Sequence, residues 1–220
     1  MISENFNLIT LMPPKTASNS LKSTLESQGV IFLQHTKSKP QIHLKLSEIV
    51  ENFELETLAN YRIIQIVRNP YLRFVSSFYF IKKIIPNGYN PIFRSLNVSE
   101  FIDHLIYSKK TGNFVEAFYG DVNFVNTKIN NGSNWGGSRL FDTQSSWNDC
   151  DSDVIHFKIE DLADNLYSLN KILGTSITNL HRLNSQNIKT DYFTLLSNEN
   201  KKKISELFEE DFKKFGYVFK

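Results

Sequence analysis

Apolar residues recur along this chain in two rhythms. Four short runs, FNLITLM (6–12), VIFL (30–33), RIIQIVR (62–68) and DVIHFK (153–158), are continuous rather than alternating. That is the pattern of β-strands buried on both faces. Elsewhere the spacing is helical. It predicts helices over 18–28 and over roughly 70–85, where Pro70 suits the first helical position and Phe74, Phe78, Ile81 and Ile85 share a face. Asn97 and Glu100 stand at capping-box spacing before a helix over 98–108. Two more are expected over 160–173, closed by Gly174, and over about 198–215, closed by Gly216. The last turns Ile204, Leu207, Phe208, Phe212 and Phe215 inward.

Strands alternating with helices predict an α/β fold: one domain over 1–220, with a mainly parallel central sheet flanked by helices. Ligands of such sheets bind beyond the carboxyl ends of the strands. Two segments are selected at once, the one after Met12 and the one after Val67. Residues 109–150, centred on NNGSNWGGSR (130–139), are irregular and long for a connector, which suits a lid or binding loop.

Composition narrows the chemistry. Net charge is only +2, from 25 basic and 23 acidic residues, which argues against a nucleic-acid binder and requires any anion site to be local. Cys150 is the single cysteine, so neither an intrachain disulfide nor a thiolate metal cluster is possible, and a reducing, cytoplasmic setting is expected. MISENFNLIT lacks the basic segment and long apolar core of a signal peptide, and no run approaches the ~20 apolar residues of a membrane span. The five histidines show no metal-ligand spacing.

The first selected segment reads LITLMPPKTASNSLKSTL (8–25). A helix start presents unbonded N–H groups and partial positive charge to an anion. Lys15 adds a full charge, and Ser18, Asn19 and Ser20 add donors. A nucleotide P-loop needs GxxxxGK followed by Ser or Thr. Here the lysine precedes the turn and the turn has no glycine, so a Walker-type ATPase is not indicated. The competing reading is that Ser18 or Asn19 simply caps a helix while Lys15 points into water.

The second segment reads VRNPYLRFVSSFYF (67–80). A basic side chain at the end of a buried strand is costly without a partner. Arg68 there, with Arg73 and Ser76 on the next helix, is placed to converge on one oxyanion that guanidinium forks can grip in pairs. Otherwise Arg68 pairs with a carboxylate and Arg73 lies on a solvated face.

Taken together, the two segments resemble the sulfotransferases that use 3′-phosphoadenosine 5′-phosphosulfate (PAPS), especially the carbohydrate-directed family 2 branch that includes heparan sulfate 2-O-sulfotransferase. PPKTASNSL is similar to that family's 5′-phosphosulfate loop, and PKTAS is close to the uronyl 2-O subgroup. VRNPYLRFVSSFY is similar to its 3′-phosphate element, an Arg followed eight residues later by a Ser, which here are Arg68 and Ser76. VIHFKIEDLADNL (154–166), LNSQNIKTDY (183–192) and EEDFKKFGY (209–217) follow in the family's order, so the resemblance covers nearly the whole chain. Ala17, Ser18 and Asn19 depart from the Gly or Thr of many relatives.

The resemblance implies a P-loop-like fold and a role for each residue. Lys15 would neutralise the bridging or 5′-phosphate oxygens, and Thr16, Ala17, Ser18, Asn19 and Ser20 would hold the rest of that group. Arg68 and Ser76, with Arg73 and Lys189 nearby, would take the 3′-phosphate. PAPS is then the donor co-substrate, no metal is required, and the partner is a hydroxyl-bearing acceptor, a carbohydrate above all. The acceptor hydroxyl needs a base. His43 in QIHLKLSEIV is the first choice, and His35, after VIFL, the second. Two other readings compete: a P-loop-like small-molecule kinase, and a binding module that keeps the anion pocket without turnover.

Overall fold

The computed structural model describes residues 1–33, 43–84, 95–111, 137–181 and 195–218. Two compact units emerge, one of residues 1–69 with 144–187 and one of 70–143 with 188–220.

The first unit holds the sheet. Its strands are β1 (Ile2–Ser3), β2 (Leu8–Leu11), β3 (Arg62–Val67) and β4 (Ile155–Lys158), in that spatial order. β1 runs antiparallel to β2, whereas β2, β3 and β4 are mutually parallel. The expected α/β fold with a mainly parallel sheet therefore forms. Successive side chains of a strand point to opposite faces, and both faces are covered. Leu8, Met12, Ile64, Ile66 and Phe157 pack on one side with Leu21 and Leu25 of helix α1 (Ser18–Ser27) and Leu169 and Leu173 of helix α5 (Leu166–Leu173). Ile9, Leu11 and Ile63 pack on the other with Leu46 and Ile49 of helix α2 (Leu46–Asn52) and with Trp147. Each such side chain contributes about 1.5–3 kcal/mol by leaving water. Two-sided burial is why β2 and β3 read as unbroken apolar runs, whereas β4, expected to be buried likewise, is exposed at Ile155 and His156.

Two expected elements are corrected in this unit. VIFL forms no strand. The Leu33 N–H donates to the Ile2 carbonyl at 2.9 Å, and Ile31 is exposed. The short β1, unforeseen in the sequence, occupies the place beside β2 instead. The helix expected over 160–173 is a 3₁₀ turn (Ile159–Asp161) followed by α5. There the Asn165 side chain and the Asn165 and Asp164 N–H groups all donate to the Asp161 carbonyl, a local turn that competes with helix. Gly174 ends α5 with φ 67°, as expected of a C-terminal glycine.

The second unit is helical: α3 (Pro70–Ile84), α4 (Val98–Thr111), α6 (Asn198–Leu207) and α7 (Glu209–Phe215). Tyr71, Phe74, Phe78, Ile81, Phe101, Phe141, Phe208 and Phe212 form its core. The capping box before α4 is made: the Glu100 N–H donates to Asn97 Oδ1 at 3.0 Å and the Asn97 N–H to Glu100 Oε2 at 2.8 Å. The single helix expected over 198–215 breaks at Phe208, whose φ of −121° leaves the helical region. Ile85, Trp135 and most of NNGSNWGGSR lie outside the described residues.

Arg73 belongs to this core. Its side chain is 2% exposed, with Nη1 donating to the Asp142 carbonyl at 2.8 Å and Nη2 to the Arg139 carbonyl at 3.4 Å. Its Nη1 lies 4.0 Å from the fully buried Asp211 carboxylate of α7. The role the sequence suggests for Arg73 needs a ligand oxyanion; in the fold its counter-ion is Asp211, so the residue joins α3, α7 and the 3₁₀ turn Gly137–Phe141. Removing one partner of a buried pair leaves the other charge uncompensated. Arg73→Met should therefore cost about 3 kcal/mol in urea unfolding, with partial recovery when Asp211→Leu is added. Wild-type stability in Arg73→Met, combined with lost anion binding, would return the residue to the ligand site.

Candidate functional site

The chain turns immediately after β2. Residues 13–17 pass from the strand into α1, and two of them, Lys15 at φ 70° and Ala17 at φ 61°, sit in the left-handed region. Only glycine adopts that region without strain, and a β-carbon there costs roughly 1–2 kcal/mol per residue. Here a lysine and an alanine hold that backbone.

The capping reading fails on geometry. The residue preceding α1 is Ala17, which has no side-chain acceptor, while Ser18 and Asn19 lie within the helix. Thr16 and Ser18 turn inward instead. Thr16 Oγ1 donates to the Pro13 carbonyl at 2.7 Å and Ser18 Oγ does so weakly at 3.4 Å. Both residues are buried, as is Ser20, whereas Asn19 is exposed. The hydroxyls expected to hold an anion thus brace the turn. Any anion held here meets main-chain N–H groups and the positive end of α1.

β3 brings Arg68 to the same end of the sheet, because Leu11 pairs with Gln65 and both strands run in one direction. Arg68 Nη1 donates to the Lys15 carbonyl at 3.1 Å. The main chain of Arg68 is held too: its N–H donates to Gln144 Oε1 and its carbonyl accepts from Gln144 Nε2, each at 2.8 Å. The Asn69 N–H donates to Glu160 Oε1 at 2.8 Å. The Arg68 guanidinium thus folds over the Lys15 turn.

Two cations in one place carry an electrostatic signature. Burial first, and the Arg68 charge second, pull the Lys15 ammonium down from 10.5 to about 8. His43 sits beside them, its Nδ1 2.7 Å from the Met12 carbonyl at the end of β2. A carbonyl only accepts, so Nδ1 carries the proton and Nε2 is the basic nitrogen of the neutral ring. Lys15, Arg68 and His43 are thus assembled at the carboxyl ends of β2 and β3. Ser76 lies half-buried on α3, in the second unit, and His35 and Lys189 fall outside the described residues.

Gln144 and Glu160 were not singled out by sequence. A lone Gln inside an irregular segment gives no motif, and Glu160 shows only within the IEDL string. Among the described residues, no group of three or more His, Cys, Asp or Glu is placed to hold a metal ion. No helix there is long and apolar enough to cross a membrane.

A comparison with known families decides the class: the sequence profile of the sulfotransferase family matches residues 1–218. The chain belongs to the sulfotransferase family. No curated protein and no solved structure matches it. Lys15, partly desolvated at the end of β2, lies within the matched residues.

The same lysine burdens the empty fold. Its charged form is disfavoured in the native state, so its contribution to stability is unfavourable below about pH 8 and is relieved as pH rises from there towards 10.5. Lys15→Met should raise the stability of the ligand-free protein at pH 7 by up to about 2 kcal/mol. The difference should shrink to nothing near pH 10.5. Chemical unfolding at the two pH values checks this, and a variant less stable than wild type at pH 7 would refute it.

Proposed function

We propose that this chain moves a sulfuryl group from PAPS to the hydroxyl of an acceptor, on a carbohydrate or glycoconjugate. The observation that carries the reading is the junction of β2 and β3, where Arg68 donates to the carbonyl of the desolvated Lys15 beside a helix start without a side-chain cap. Two cations held together at the start of a helix suit a ligand with more than one anionic group. PAPS has such groups at its 5′ and 3′ positions. The family match spans both units, which supports reading them as parts of one catalytic domain.

Sulfuryl transfer, like phosphoryl transfer, depends on alignment and on stabilising charge at the leaving oxygen. Lys15 neutralises the charge that grows as the S–O bond to the 5′-phosphate breaks. The main-chain N–H groups at the start of α1 hold the phosphosulfate oxygens. Arg68 takes the 3′-phosphate; the resemblance pairs it there with Ser76. As the new S–O bond forms, His43 Nε2 receives the acceptor proton. The likeness of PKTAS to the uronyl subgroup supports a sugar hydroxyl as acceptor, and the single exposed cysteine accords with a cytoplasmic setting.

A ligand that binds only the native state raises its melting temperature with occupancy. 3′-Phosphoadenosine 5′-phosphate should stabilise the protein at concentrations where AMP, ADP and ATP do not, and Arg68→Ala should abolish that preference. An equal response to AMP would refute the PAPS reading, and a preference for ATP with magnesium would favour a kinase. In a transfer assay, His43→Ala should lower kcat by roughly 10²-fold or more while leaving the nucleotide response intact. Transfer at the wild-type rate would remove His43 as base, and binding without any transfer in the wild type would mark a non-catalytic module.

A further inference from the structure

We propose that Gln144 is a positioning residue for Arg68: its buried side-chain amide serves as one more rung beyond the end of β3 and holds the Arg68 guanidinium over the Lys15 turn. This rests on the nucleotide reading of Arg68 given above. Gln144 is fully buried, so it acts through Arg68 rather than on a ligand. A primary amide carries a donor and an acceptor in the arrangement of a peptide group. Gln144 uses both against one residue, accepting from the Arg68 N–H and donating to the Arg68 carbonyl, each at 2.8 Å. A carboxylate cannot make the second bond, and an apolar side chain can make neither.

A second observation points the same way. Gln65, three residues before Arg68 on β3, is a fully buried polar residue in a strand otherwise made of isoleucine and valine beyond Arg62. Its Nε2 donates to the main-chain carbonyl of Gln144 at 2.6 Å, while its Oε1 is buried without a hydrogen-bond partner among the described residues. A buried amide with one unsatisfied atom is destabilising relative to a satisfied one. The strand tolerates that cost at the position that fixes the Gln144 main chain. With the Arg68 N–H on Gln144, the guanidinium is the remaining donor group of Arg68, and its Nη1 lies on the Lys15 carbonyl.

The clasp closes over a long excursion. The chain leaves the first unit after Asn69 and re-enters it at Gln144, so the two ends of the 70–143 segment are tied together inside the first unit. An amide side chain thereby couples the return of the chain to the placement of a charge.

Gln144→Met keeps the length of the side chain and removes both bonds. The affinity ratio of 3′-phosphoadenosine 5′-phosphate to AMP should fall at least tenfold, with AMP affinity little changed. In an Arg68→Ala background the same substitution should cause little further loss. A lowered melting temperature with the ratio within twofold of wild type, or losses that add in the double variant, would overturn the proposal. If Gln144→Met does not fold, Gln144→Glu retains the acceptor for the Arg68 N–H and should lose part of the ratio; no loss counts against the clasp. A ligand-free measurement separates the clasp from the nucleotide reading. Titration of Lys15, followed by NMR of ¹³C-methylated lysines, should show its midpoint move up from about 8 in the Gln144 variant as the guanidinium withdraws. An unmoved midpoint overturns the positioning role. A wild type without preference for the 3′-phosphorylated nucleotide would instead overturn the nucleotide reading, while a raised Lys15 midpoint would still uphold the clasp.

Discussion

Lys15 and Arg68 repel one another, and much of the first unit can be understood as what holds them together. Like charges at close range in a partly dry setting oppose folding by several times what they would in water. The fold counters this with hydrogen bonds that involve the main chain. Arg68 is tied to the Lys15 carbonyl, its own backbone is gripped by Gln144, and the turn carrying Lys15 is braced from inside by Thr16. An anionic ligand placed between the two would offset that repulsion.

That arrangement depends on the sheet. Parallel pairing of β2 with β3 makes both strands end on the same side, and the register from Leu8–Arg62 to Leu11–Gln65 sets how far each one reaches. Burial of both faces fixes this register, because a slip by one residue would exchange the Leu8/Met12 side for the Ile9/Leu11 side. Packing far from the charges thus determines their separation. His43 follows from the same frame: it reaches the Met12 carbonyl just ahead of Leu44 and Leu46, which belong to the core on the α2 face.

Much of this was legible in the residues. The apolar runs ending at Met12 and Val67 marked the two strand tips because two-sided burial leaves no polar alternation to obscure them. Asn97 and Glu100 announced their helix start through a bond pattern that needs only three-residue spacing. What stayed hidden depends on partners distant in sequence. Arg73 looks like a ligand contact until α7 supplies Asp211, and nothing local to Gln144 indicates Arg68. β1 is two residues long, too short for periodicity, and VIFL has the composition of a strand without forming one. The break at Phe208 is equally invisible, since its ring continues the apolar helical spacing while its backbone departs from it.

The left-handed residues of the turn have a further consequence. Glycine at positions 15 and 17 would relax the strain but would also open several alternative backbone shapes to the loop before any ligand arrived. A lysine and an alanine at φ values of 70° and 61° sit in a well that L-residues disfavour, so the surrounding packing must hold them against their preferred conformations. The shape of the turn is therefore a product of the whole fold and should be among the first features lost when the packing around it loosens.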